Sequence, residues 1–283
     1  MSKELSRRNM LGRAGLALGG LVTLGTLQAC GEDETTPTPT PDPGPTPKDY
    51  PYEQHMADGY QLLGAPVQEA AYHGYYAGGC CHGAYSALLG HLAETAGKPF
   101  DQLPLDFGKF GGGGIASYGS ICGAVLGGVM IINHIVSNAT ARAAMMTDLM
   151  RWYEGEAFPK YVPTAIDTLE TGTTKDFSAG NIANLQVVPG SHLCHASVSS
   201  WCSAQAVNAG GADKKARCAR LTADVAGKVA AMINTYLAGT GTYTAAAIDA
   251  ASATCLGCHD TKATVHPVVA TGMTCASCHT PHG

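Results

Sequence analysis

A cysteine pair three positions apart, followed at once by a histidine, occurs twice near the end of this 283-residue chain: Cys255-Leu256-Gly257-Cys258-His259 and Cys275-Ala276-Ser277-Cys278-His279. Two thiols at this spacing reach the two vinyl groups of one haem, and the next residue is placed to give its imidazole to the iron. The pattern predicts two haem c groups per chain. Cys255, Cys258, Cys275 and Cys278 are the expected attachment points, with His259 and His279 as proximal ligands. Covalent attachment at four points in so short a stretch predicts a small, irregular segment over residues 252–283.

Zinc competes for the same cysteines, because Cys258 and Cys275 are separated by sixteen intervening residues and C-x2-C-x16-C-x2-C is also zinc-ribbon spacing. A four-thiolate zinc site has no use for the histidines that directly follow each pair. Two disulfides leave them equally unexplained.

Each iron needs a sixth ligand or keeps an open position. His282 lies three residues past His279, a backbone reach of about 10 Å, whereas passing round a haem between two histidines takes roughly 12 Å. His282 is therefore expected to serve a haem other than that of His279. His266, seven residues past His259, reaches about 23 Å and suits either haem. The remaining histidines, His55, His73, His82, His91, His134, His192 and His195, read individually as surface or hydrogen-bonded groups, although as a set they could supply one haem ligand.

The other end of the chain reads as an export signal over residues 1–29. Ser6-Arg7-Arg8-Asn9-Met10-Leu11 carries a twin arginine, and Ala14 to Leu27 is apolar but too short to span a bilayer. Leu27-Gln28-Ala29-Cys30 resembles the lipobox of bacterial lipoproteins, which makes Cys30 the expected lipid anchor on the periplasmic or outer face of a bacterial membrane. Residues 30–49, with their alternating Pro and Thr, favour an extended polyproline spacer; its central residues span roughly 40 Å. Removal of the signal leaves a net charge of about −8, which argues against nucleic acid and for basic or neutral redox partner proteins.

Between these ends, residues 50–251 read as a helical domain, so the fold class is mainly α. Helices are expected over Val67–Ala96, stopped by Gly97-Lys98-Pro99; over the apolar run Ile121–Val136; over Asn138–Glu156, with Met146, Leu149, Met150 and Tyr153 on one face; and over Ala212–Leu237. Residues 159–193 show no period and read as a long surface connection. No strand-like alternation competes.

Six further cysteines, Cys80, Cys81, Cys122, Cys194, Cys202 and Cys218, lie in this domain. Three disulfides or free buried thiols would be one use of them. Their surroundings are distinctive: Gly78-Gly79-Cys80-Cys81-His82-Gly83-Ala84, the run Phe110-Gly111-Gly112-Gly113-Gly114, Ile121-Cys122-Gly123-Ala124-Val125-Leu126-Gly127, Cys194 to Cys202, and Arg217-Cys218-Ala219. This resembles the redox-protein family with a C, GCAxxG, C, C pattern, with the GCA order altered. With a two-haem end appended, residues 50–283 resemble the split-Soret cytochromes c.

That resemblance implies a homodimer, histidines on both sides of each haem, and an iron–sulfur cluster on Cys194, Cys202 and Cys218, with Cys122 as the fourth ligand. Cys194 and Cys202, eight apart, share a face if their segment is helical. The expected role is electron transfer. The rival reading is reduction of a small molecule at an open haem or at the cysteine centre, although no acid–base or nucleophile constellation stands beside the redox groups.

Overall fold

The computed structural model describes residues 50–244, 246–260 and 271–279. Cys30, the export signal, the Pro-rich spacer, His266 and His282 lie outside the described residues.

Helix α5 (Ala212–Leu237) sets Leu221, Val225, Val229 and Ile233 four residues apart, a spacing that lines one helical face, and all four are buried. Helix α1 (Gly64–Thr95) packs against it along the largest interface of the fold. Helix α2 (Gly123–Ile135) inserts Ile131, Ile132 and Ile135 against this pair. Helix α3 (Ala139–Gly155) closes the core with Leu149 and Tyr153, Met146 and Met150 packing at its edge. The Asn138 side chain caps α3 by accepting from Ala141 N at 3.0 Å. Each fully buried aliphatic side chain contributes roughly 1.5–3 kcal/mol of burial free energy, so the four-residue stripe on α5 is a main source of cohesion.

The expected single helix over Val67–Ala96 is two helical arms, broken at Gly79 with φ 86° and ψ 176°. The second arm folds back on the first: a Cβ on Gly83 would lie 2.7 Å from the Ala71 carbonyl, so only glycine permits the crossing. The break also places Cys80 and Cys81 at the start of the second arm. Across from them, a Cβ on Gly127 would meet the Cys81 carbonyl at 2.6 Å, which lets α2 lie against this turn.

The stretch 159–193, expected as a surface connection, instead buries part of itself. Phe177 and Leu185 form a second small core with Trp201 of α4 (Cys194–Gln205), and Trp201 Nε1 donates to the Leu185 carbonyl at 2.7 Å. Within the same stretch, Glu170 accepts two hydrogen bonds from Arg220, at 2.7 and 2.8 Å. Last comes α6 (Ala250–His259), capped by Asp249, whose side chain accepts from Ser252 N. Among the described residues the fold is helical, with only the isolated bridges Ile121–Leu193 and Phe158–Val187, and no helix is long and apolar enough to cross a membrane.

Candidate redox centres

The first C-x-x-C-H motif ends α6, where Cys255 and Cys258, three apart, project from neighbouring positions of the helix. The second forms a single turn in which the N–H groups of Cys278 and His279 both donate to the Cys275 carbonyl, at 3.1 and 3.0 Å. Cys258, Cys278 and His279 are exposed, Cys255 and Cys275 half-buried, and all four thiols are unbridged. Unbridged thiols on short helical turns, one of each pair exposed, fit a group attached covalently after the body has folded.

Two contacts fasten this segment. The backbone N–H of Cys275 donates to Oγ of the buried Ser252 at 2.7 Å, joining one motif to the other. Arg151 and Glu154, on the last turns of α3, clasp the residues before Cys275: Arg151 donates to the Gly272 carbonyl and to Thr274 Oγ1, and the Thr274 hydroxyl lies 3.3 Å from Glu154 Oε2. Glu154 also pairs with Arg151 at 2.9 Å and with His192 Nδ1 at 2.7 Å. Burial alone would raise its pKa, but the hydrogen bonds from His192 and Arg151 outweigh it and hold the carboxyl below its usual range.

The second constellation lies where several helices begin. Cys122 directly precedes α2, Cys194 is the first residue of α4, and Cys80 starts the second arm of α1, so three thiols sit at positive helix ends. Cys202 is two turns further along α4, and Cys218 comes from α5. Burial pushes the Cys80 thiol well up, and the neighbouring thiols of Cys122, Cys218 and Cys194 push it further. Cys194 is pushed up to about 12 by burial and then by Cys122 and Cys218. Cys202 is raised by burial and by Cys218, and Cys122 by burial despite the lowering influence of the Tyr153 hydroxyl. Cys218 thus lies near each of Cys80, Cys122, Cys194 and Cys202.

Arg217 supplies the counter-charge. Its side chain is 2% exposed; Nη1 donates to Cys218 Sγ at 3.8 Å and Nη2 to Ser197 Oγ at 2.9 Å, while Nε has no partner among the described residues. A buried guanidinium favours an anionic partner, and thiolates bound to a cluster would supply it. Among the described residues no three side chains stand close enough to hold a single metal ion. By donor chemistry, a set of cysteine thiolates suits iron–sulfur ligation.

Sequence reasoning missed two features. Cys80 had not been assigned as a ligand; its approach depends on the turn at Gly79. The Glu154–His192 pair spans thirty-eight positions and leaves no local signal. The other histidines are varied: His73 pairs with Asp167, His91 accepts from Leu63 N, His134 sits among the rings of Tyr50, Tyr52 and Tyr85, and His195 is exposed at the start of α4.

Residues 80–232 match a family of redox-active proteins, C_GCAxxG_C_C. Over 282 residues the chain is 30% identical to the split-Soret cytochrome c of Desulfovibrio desulfuricans, covering 98% of this chain and 95% of that protein. A solved structure of split-Soret cytochrome c from Desulfovibrio desulfuricans, described as having a novel iron centre, matches with a TM-score of 0.68 at 30% identity. It covers 79% of this chain and 90% of that one.

Proposed function

Because this chain belongs to the split-Soret cytochrome c family, a redox family, we propose that it is an exported electron carrier with two covalently bound haems and one iron–sulfur centre per chain. The observation that carries the reading is the pair of complete C-x-x-C-H motifs with unbridged thiols, their segments tied together through Ser252 and Cys275. Once attached, haem iron supplies one-electron chemistry between ferric and ferrous states. The chain's own part is to hold the haems at one end of a helical body and to present a buried thiol set a short way inside it.

The centre is assigned to Cys122, Cys194, Cys202 and Cys218, with Cys80 as an additional thiol in reach. Its support is the nearness of each of the other thiols to Cys218 and the buried Arg217 that donates to Cys218 Sγ. Iron and acid-labile sulfide analysis with EPR of the purified full-length chain tests this assignment. Non-haem iron with sulfide is the expected result. Haem iron alone overturns the centre and leaves the cytochrome.

Export through the twin-arginine route, the lipid anchor at Cys30, a homodimer, distal ligation by His266 and His282, and basic or neutral redox partners complete the proposal. The twin-arginine route accepts folded proteins, which suits a cluster built before export and haem joined after it. Cys30→Ser should release the protein from membranes with its visible spectrum unchanged; retention would assign the anchor elsewhere.

A further inference from the structure

One carboxylate links residues that adjoin both candidate centres. Glu154 Oε2 faces the Thr274 hydroxyl at 3.3 Å, and Thr274 is bonded to the haem-motif residue Cys275. Glu154 Oε1 pairs with His192 Nδ1 at 2.7 Å, and the His192 carbonyl accepts the N–H of Cys122 at 2.8 Å. His192 also stands two residues before Cys194, whose own N–H donates to the Ser120 carbonyl at 2.6 Å. Thus a continuous route runs from Cys275 through Thr274, Glu154 and His192 to Cys122, with hydrogen bonds as its only non-covalent links.

The route is built to be rigid. Glu154 is 8% exposed and held by a third group, Arg151, which also grips Gly272 and Thr274. Charge-assisted hydrogen bonds in a buried array fix side chains more firmly than neutral ones at the surface.

We propose that Glu154 is the positioning residue that couples the second haem motif to the cysteine centre, setting their spacing and giving electrons a connected path between them. It rests on the cofactor assignment above. The step is the transfer of one electron: haem iron goes from ferrous to ferric and the iron–sulfur centre is reduced by one. No bond forms or breaks, and Glu154 keeps its protonation state.

The test uses the full holoprotein and two variants. Glu154→Gln keeps the size of the side chain but removes its charge, and Thr274→Val removes the hydroxyl that meets Glu154 and Arg151 while leaving the Glu154–Arg151 and Glu154–His192 pairs in place. Rapid photoreduction of haem, followed by optical and freeze-quench EPR detection of the centre, measures electron exchange within one molecule. Both variants should keep two haems and wild-type non-haem iron, yet exchange electrons at least about tenfold more slowly, the size of effect expected when a reacting pair loses its fixed placement. Wild-type exchange rates in both variants, with cofactors intact, overturn the proposal. If Glu154→Gln fails to fold, Thr274→Val alone decides it. A wild-type protein without non-haem iron overturns the cofactor assignment itself, and the coupling with it, which separates the two failures.

Discussion

The N–H of Cys275 donates to Ser252 Oγ at 2.7 Å, a contact that brings together two segments twenty-three residues apart and so places the two haem motifs side by side. Ser252 is wholly buried at this point, three residues before Cys255. Ser252→Ala leaves the Cys275 N–H without its acceptor, at a local cost of about 1–3 kcal/mol. Hydrogen exchange over residues 271–279 should quicken by one to two orders of magnitude while both haems stay attached. Unchanged exchange would mean that the contact does not hold the segment.

Each haem should be lost separately. Cys258→Ala or Cys278→Ala removes one thioether anchor from one motif, so intact-mass analysis should show a loss of about one haem per chain with the other retained. Equal loss of both would mean that the motifs form one interdependent site.

Much of the helical body was readable because its apolar stripes recur with helical period. Helix α5 begins and ends where Ala212–Leu237 was expected, and α2 and α3 differ from expectation by only a few residues at their ends. The break in α1 was hidden because the Ala-rich first arm and the Ala- and Leu-rich second arm read as one helical run, and the positive φ of Gly79 reveals the turn. Phe177, Leu185 and Trp201 were equally hidden: scattered apolar residues without a period meet only through tertiary packing. The haem motifs were legible because their chemistry is local. The Cys218 neighbourhood and the Glu154 bridge were not, since each joins residues from several distant elements.

The buried ion pair in the long connection should matter greatly to stability. Arg220 and Glu170 side chains are 1% and 6% exposed, and Glu170 also accepts from the hydroxyls of Tyr72 and Tyr76. Glu170→Ala strands a buried guanidinium, which costs about 3–5 kcal/mol. Denaturant unfolding checks this, and a loss below about 1 kcal/mol would show that Arg220 finds water or another acceptor.

Stability should fall as pH rises toward neutrality because of Asp224. Burial pushes its carboxyl from the usual 3.8 up to about 7, against the lowering hydrogen bond from the Lys160 backbone. The folded chain binds this proton more tightly than the unfolded one, so the contribution is full below about pH 4 and is lost as pH passes through 7. The slope between those limits is on the order of 1 kcal/mol per pH unit. Asp224→Asn removes this term and should gain on the wild type with rising pH, the two nearly matching at pH 4. Parallel stability curves across the range would contradict this placement of the titration.

The account stands most directly on the haem content and spin state of the purified full-length chain. Acid–acetone extraction followed by a pyridine haemochrome assay and a reduced-minus-oxidised spectrum, with and without carbon monoxide, measures both. Two haems per chain that resist extraction, a low-spin reduced spectrum unaltered by carbon monoxide, and a divided Soret band are the expected result. A colourless protein carrying zinc on Cys255, Cys258, Cys275 and Cys278 would contradict it.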